Sequence, residues 1–442
     1  MSPTVVNRKP NLVILHAHDM GRYNAAYGHA LPTPNIAAFA RESFLFRDAH
    51  CAAPTCSPSR AAMLTGRTAH EVGLLGLTHR GWHLEDNNLH LAAWLGRHGY
   101  ETALAGIQHE LLNEDDGPYS VRIRSENRSN STRDLAVANA AAAWLGEPRE
   151  TPFFLWTGLF LPHVPFLKAD PAEFPEGQMQ PPACLPDTAG TRADWADYAT
   201  SVRETDRCFG IILDALHASG HAENTLVILT TDHGVPLPKM KCSLTGHGTG
   251  VTLIIRTPNG EAPARGASDA LVSHLDLFPT VCELLDLPVP DGLHGASLGP
   301  LMRGETDAVR EDTFAEVTYH ASYEPKRSVR TKRWNYIRSF DDDRRRPLAN
   351  TDDTRSKRFL MAEGWALVPT EREALYDLIN DPQESHNVVD DPAFAASLSE
   401  MRDRLAAWME KTDDPILKGL IPAPKGAKSN PRQAVHPWEE PV

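Results

Sequence analysis

Three continuous apolar runs constrain this chain most: Asn11-Leu12-Val13-Ile14-Leu15, Phe153-Phe154-Leu155-Trp156-Thr157 and Leu226-Val227-Ile228-Leu229-Thr230-Thr231. A strand with one wet face alternates apolar and polar residues. An unbroken run predicts a strand covered on both faces, as in the centre of a parallel sheet. Two of the runs end in polar clusters, His16-Ala17-His18-Asp19 and Asp232-His233-Gly234. The carboxyl ends of such strands are where open α/β sheets assemble their sites. Shorter strands are predicted at 44–46, 102–106 and 253–255, and helices at 34–42, 88–98, 134–145 and 193–219. This alternation predicts an α/β fold whose largely parallel sheet is flanked by helices.

The pattern changes near Gly304-Glu305. Beyond it, strand candidates such as Trp334-Asn335-Tyr336-Ile337 are shorter and more polar, and a charged stretch, Asp341 to Arg346, reads as a solvated loop. An amphipathic helix is predicted over 394–409, and a Pro-rich tail from Ile421 reads as an extended wrap. The expected organisation is a catalytic domain over 1–305 and a small α+β domain over 306–442.

With 442 residues, 41% of them hydrophobic and 23% charged, the chain has the length and composition of such a globular pair. Its net charge of −14 argues against nucleic acid as a partner. An anion site in so acidic a chain requires cations gathered locally. Six cysteines are too few for a disulfide scaffold. The stretch before Asn11 carries no apolar run, and 11–16 is too short for a signal or a membrane span. A cytoplasmic protein with no membrane partner is expected, although a removed leader would leave the same text.

Cys56-Ser57-Pro58-Ser59-Arg60 runs straight into Ala61-Ala62-Met63-Leu64-Thr65-Gly66-Arg67, a short apolar helix. Taken alone, Cys56 reads as a small buried hydrophobe. With Cys51 it reads as a disulfide or half a zinc site, but no second Cys pair stands at ligand spacing. A phosphatase-type thiolate would want arginine where Ser57 stands. The whole pattern resembles the signature of the formylglycine-dependent sulfatases. Within that family the chain is most similar to the heparan N-sulfatase (sulfamidase) branch. That likeness lies in Phe153-Phe154-Leu155, Asp232-His233-Gly234-Val235-Pro236-Leu237-Pro238, Gly248-Thr249 and Leu375-Tyr376-Asp377.

The resemblance implies an alkaline-phosphatase-like fold and hydrolysis of a sulfate ester or sulfamate on a small sulfated saccharide. It implies that a formylglycine-generating enzyme oxidises Cys56, and that the aldehyde's hydrate attacks sulfur. It implies one divalent metal, calcium by family, with magnesium, manganese or zinc as alternatives. Asp19, Asp232 and His233 are the implied ligands, together with the modified Cys56. His18 stands where the family has aspartate, so its ligation is left open; two imidazoles would move the preference toward Mn²⁺ or Zn²⁺.

The same resemblance gives Arg60 the task of fixing the nucleophile, His109 its second proton, His163 the leaving group, and Lys241 the sulfate. Lys239 competes with Lys241. Ile107 occupies the place of a family lysine, so another cation compensates or the transferred group differs. Thr78-His79-Arg80-Gly81-Trp82-His83 and Tyr319 to Glu324, with Lys326 and Arg327, are expected to line the substrate pocket. Two rivals stand beside this reading: a phosphate or phosphonate monoester hydrolase of the same superfamily, and a non-catalytic relative that binds sulfated carbohydrate. A plain thiol enzyme is a third reading, and a homo-oligomer is left open.

Overall fold

The computed structural model of the protein describes residues 9–113, 117–125, 129, 132–260 and 266–440. Residues 1–8, on which part of the leader expectation rests, lie outside the described residues. The first sheet has eight strands: β1 (Asn11–Ala17), β2 (Phe44–His50), β3 (Glu101–Gly106), β4 (Val121–Ile123), β5 (Phe153–Leu159), β6 (Thr225–Thr231), β7 (Leu253–Arg256) and β8 (Gly266–Ser273). Their order is β4-β3-β5-β1-β6-β7-β2-β8. All neighbours are parallel except β7, which runs against both β6 and β2.

The three apolar runs are β1, β5 and β6, and every residue of each is buried. They lie side by side at the centre, with Ala17 level with Leu159 on one side and Thr231 on the other. Helices cover both faces, so the odd and even positions of β1 enter two separate cores. Val13 and Leu15 pack with the long helix Ala189–Ala218; Leu12 and Ile14 pack with the helices Cys56–Thr65 and Leu277–Leu284. Burying a side chain of this size on each face is worth about 1.5–3 kcal/mol, which holds the central strands in one register.

Several boundaries differ from the sequence reading. The helix expected over 88–98 is a turn, Asn87–Leu89, and a shorter helix, Leu91–Arg97. His90 interrupts them because its Nδ1 accepts the Ala92 N–H and caps the second helix. The strand expected at 44–46 continues to His50, with Arg47 exposed and the other residues packed or half-buried. Cys51 and Cys56 are both free thiols, so the disulfide alternative falls.

The second sheet, β9 (Asp312–Tyr319), β10 (Tyr323–Thr331), β11 (Trp334–Ser339) and β12 (Glu373–Asp377), is antiparallel in the order β12-β11-β10-β9. The helix Ala395–Lys411 packs on it through Leu398, Met401, Leu405 and Trp408. Its β9 edge is stitched to the first sheet's loops, since Glu316 N–H donates to the Ala52 carbonyl and Tyr319 N–H to that of Leu75. The Pro-rich tail wraps this junction as expected: Lys428 N–H donates to the Arg80 carbonyl and Asn430 N–H to that of Ala321. Among the described residues, no helix is long and apolar enough to cross a membrane.

Candidate active site

Strand order brings the polar clusters together. β3, β5, β1 and β6 are consecutive in the sheet, and their carboxyl ends deliver His109, His163, His18 with Asp19, and Asp232 with His233 to one edge. Gly106 permits the turn out of β3: it sits at φ +82°, and a Cβ there would stand 2.1 Å from the Gly158 carbonyl oxygen. Asp19 is held at φ +50°, an uncommon left-handed conformation, while its N–H donates to Asp232 Oδ1 at 2.8 Å.

The helix Cys56–Thr65 points its N-terminus into this edge, and all ten of its residues are buried. Alanines at 61 and 62 let it seat against the loops. Ser59 Oγ donates to the Asp232 carbonyl at 2.6 Å, tying the helix to the end of β6. Arg60, one turn on, is wholly buried; its NH1 donates to the Ile107 carbonyl at 3.2 Å and its NH2 lies 3.6 Å from Asp232 Oδ2.

His18, Asp19, Cys56, Asp232 and His233 each turn one ligand-type atom inward, and these atoms all lie within 4.8 Å of one another. His18 Nδ1 is 2.8 Å from Asp19 Oδ1 and 3.2 Å from Asp232 Oδ2; His233 Nε2 is 3.2 Å from Asp19 Oδ1. Two buried carboxylates this close repel each other and lose hydration. Asp232 Oδ2 and His233 Nε2 have no hydrogen-bond partner, although both are buried. An orphaned carboxylate oxygen and an orphaned imidazole nitrogen facing one point fit a divalent cation. The signature cysteine, the two carboxylates and the two imidazoles thus form a donor set that could hold a metal ion.

The other residues singled out by sequence surround the cluster. Lys241 Nζ donates to Asp19 Oδ2 at 3.1 Å; His163 Nε2 is 3.7 Å from the same oxygen; His109 Nδ1 is 3.2 Å from His18 Nε2. Lys239 is exposed and turns to a neighbouring cavity, so of the two lysines it is Lys241 that enters the cluster. Ile107 contributes only its carbonyl, which accepts from Arg60 and from Trp156 Nε1.

Burial governs the protonation of these groups. It holds His18 down to about 4 against the pull of Asp232 and Asp19, and lowers His109 with help from the Arg60 charge. Burial opposes ionisation of Asp232, but His233, His18 and Arg60 outweigh it and keep the carboxyl below its usual range. Burial pushes the Cys56 thiol up, so the unmodified side chain is protonated at neutral pH and a poor nucleophile.

Two further residues belong to this environment. Asp352 Oδ2 stands 3.3 Å from Lys241 Nζ. His320, buried on the loop after β9, feels Lys241, His233 and Asp19, and its Nδ1 has no hydrogen-bond partner. His320 falls within the stretch expected to line the pocket; nothing local in the sequence marks Asp352.

Other pocket expectations are corrected. Arg80 is spent on the tail, donating to Asn430 Oδ1 at 2.7 Å and to the Pro437 carbonyl. Arg327 is wholly buried against Asp414 at 2.6 Å, away from any opening. Trp82 is buried against Tyr319. Thr78, His79 and the Arg80 stem do border an opening of about 520 Å³ beside Gln108 and Leu111.

The chain is similar to known proteins over most of its length. The sulfatase family model matches residues 10–287, and the model for the C-terminal part of N-sulphoglucosamine sulphohydrolase matches 244–357. Human N-sulphoglucosamine sulphohydrolase is 30% identical, covering 92% of this chain and 91% of that protein. An ulvan-active sulfatase of Formosa agariphila is 25% identical, covering 95% of this chain and 84% of that one. The phosphonate monoester hydrolase of Agrobacterium radiobacter shares the fold with a TM-score of 0.71 at 20% identity, over 98% of this chain and 99% of that one. A signature cysteine at a buried helix N-terminus, a ring of carboxylates and histidines at one sheet edge, and a matching family model across most of the chain give one conclusion: the protein belongs to the sulfatase family.

Proposed function

We propose that this sulfatase removes sulfate from a small sulfated saccharide, with an amino sugar bearing an N- or O-sulfate as the favoured class. The observation that carries the reading is the position of Cys56, at the mouth of the helix and within 4.8 Å of two carboxylates and two imidazoles. The kinship to human N-sulphoglucosamine sulphohydrolase supports the amino sugar. So does a protein of the same fold (TM-score 0.74, 18% identity, covering 92% of this chain and 99% of that one) solved in complex with its substrate D-glucosamine-2-N,6-O-disulfate.

A divalent cation held by Asp19, Asp232, His233 and His18 would offset the two carboxylates and polarise sulfate, and Cys56 matured to formylglycine would supply the hydroxyl nucleophile. Arg60 and Lys241 bind and orient the sulfate oxygens, as buried cations beside Asp232 and Asp19. His163 holds its ring by donating from Nδ1 to the Val164 carbonyl at 2.5 Å, which turns Nε2 toward the cluster; as the imidazolium it would give its Nε2 proton to the leaving oxygen or nitrogen and remain as the Nδ1–H neutral ring. His109, whose Nδ1 meets His18 Nε2 at 3.2 Å, is the base for the nucleophile's remaining proton. With two imidazoles among the ligands, Mn²⁺ or Zn²⁺ fits the donor set better than Ca²⁺ does.

The test is mass spectrometry of the tryptic peptide from Asp48 to Arg60, in which Cys51 is an internal thiol control, joined to sulfate release from a panel of sulfated sugars. We expect an aldehyde at Cys56 alone, and loss of release in Cys56→Ala. An unmodified Cys56 in active protein, or faster turnover of aryl phosphonates than of any sulfate, would overturn the proposal.

A further inference from the structure

A cavity of about 430 Å³ opens between the Lys239–Thr245 loop, the second sheet and the segment around Trp365. Its size is in the range of small-molecule sites, about 300–1,000 Å³. Lys241 forms part of its wall, so it adjoins the catalytic cluster through the lysine that touches Asp19.

The cavity's charges are unevenly matched. Lys326 is neutralised by Glu324 at 2.6 Å, Arg432 by Asp341 at 2.9 Å, and the wall residue Glu384 by Arg330 at 3.1 Å. Arg346 is different. Its guanidinium lies over the Trp365 ring, 4.6 Å from the centroid, and its buried Nε has no hydrogen-bond partner. Lys239, exposed and fixed at φ +65°, lines the same cavity. Among the described residues, neither Arg346 nor Lys239 has a carboxylate at ion-pair distance; the wall carboxylates Glu324 and Glu371 act on Arg346 only from farther off, and each has its own cation in Lys326 and Arg344. A half-buried guanidinium that has lost water without gaining an acceptor is costly. The stacking on Trp365 keeps its shape while leaving its donors for a ligand. In a protein of net charge −14, two cations without a direct ion pair on one cavity wall are a local exception.

We propose that this cavity is a second anion subsite, in which Arg346 and Lys239 hold the carboxylate or sulfate of the sugar next to the one being desulfated. The proposal rests on the sulfated-saccharide reading above. Arg346 presents paired donors that match either planar carboxylate or sulfate, and the partly exposed Trp365 and Val368 border the same cavity, where the apolar face of a sugar ring can rest.

Three disaccharides that share the same sulfated unit form the test; the neighbouring sugar is neutral, carries a carboxylate, or carries a sulfate. Dissociation constants are measured by calorimetry with Cys56→Ala protein, with and without Arg346→Ala, and kcat/KM is measured with the matured enzyme. We expect the Arg346-intact protein to prefer one anionic neighbour by about tenfold, the effect of one charge-assisted hydrogen bond. Whichever of the two gains more identifies the natural group. Arg346→Ala should bring that ratio close to one, and Arg346→Lys should restore part of it. A structural role for Arg346 would weaken all three ligands by one factor and leave the ratio, which would overturn the subsite. Equal binding of the three disaccharides by the intact protein would overturn it too. Absence of sulfate release from every probe, with the binding ratio intact, would sink the hydrolytic reading and spare the subsite.

Discussion

Lys241→Met is the substitution that most sharply tests the reading of the site. Lys241 is 2% exposed and is clamped between Asp19 Oδ2 at 3.1 Å and Asp352 Oδ2 at 3.3 Å. At these separations and an effective dielectric of about 20, each attraction is about 5 kcal/mol before desolvation. Removing the ammonium leaves both carboxylates without that partner, and breaking a buried pair this way costs about 3–5 kcal/mol of stability. Losing a fixed cation that faces the sulfate costs a further 10²–10³-fold in kcat, or about 3–4 kcal/mol of transition-state stabilisation. The two losses separate in Lys241→Met/Asp352→Asn, because neutralising Asp352 removes one stranded charge without returning a sulfate donor. Urea unfolding should show the double variant regaining part of the stability, while sulfate release stays at the level of Lys241→Met. If the double variant recovers turnover along with stability, Lys241 serves only to neutralise carboxylates and the sulfate-binding role is refuted.

Further outcomes follow from other parts of the site. Asp134, which accepts the Phe160 and Leu161 N–H groups at 2.9 and 2.7 Å and so anchors the turn before His163, has its carboxyl raised to about 6 by burial. Below about pH 4 native and unfolded chains both hold this proton, and above about 6 both lose it; between them only the native state keeps it. This group therefore makes stability fall as pH rises from about 4 to 6, by roughly 3 kcal/mol, and Asp134→Asn should flatten that limb in urea titrations run across the window. Chelation should abolish sulfate release and lower Tm, with Mn²⁺ or Zn²⁺ restoring both better than Ca²⁺; preferential rescue by Ca²⁺ would contradict the imidazole argument. Cys56 is 3% exposed within a fully buried helix, so its oxidation should take place before folding. Folded thiol protein incubated with a formylglycine-generating enzyme should stay unmodified by mass spectrometry, while the denatured chain or its peptide is converted.

What the sequence made legible follows from which elements bury both faces. β1, β5 and β6 needed unbroken apolar runs, so their positions, and the polar residues at their ends, could be read directly. β8, Gly266–Ser273, buries only its second half and spells out small and polar residues, so no period marks it. β9 and β10 were obscured for another reason: their buried positions include Glu316, whose Oε1 accepts from His70, and Arg327, which donates to Asp414, so both find partners inside the fold instead of water. A charged strand paired inside the fold looks like a loop when read one residue at a time. Asp352 was illegible in the same sense. It stands in a polar Thr-Asp-Asp-Thr run, and only the fold carries it across to Lys241.

The acidity of the chain also acquires a physical meaning. Arg60 and Lys241 can remain charged in a site from which water is excluded only because Asp232 and Asp19 lie within 3.6 and 3.1 Å of them. The same carboxylates then cancel much of the field that a sulfate would need. A divalent cation held by these carboxylates would resolve this conflict, since it would add two positive charges to the cluster and free the guanidinium and ammonium for a substrate anion. The carboxylates, the side-chain cations and such a metal would act as one electrostatic unit. Their arrangement explains how a chain of net charge −14 can gather an anion at one sheet edge while repelling polyanions elsewhere.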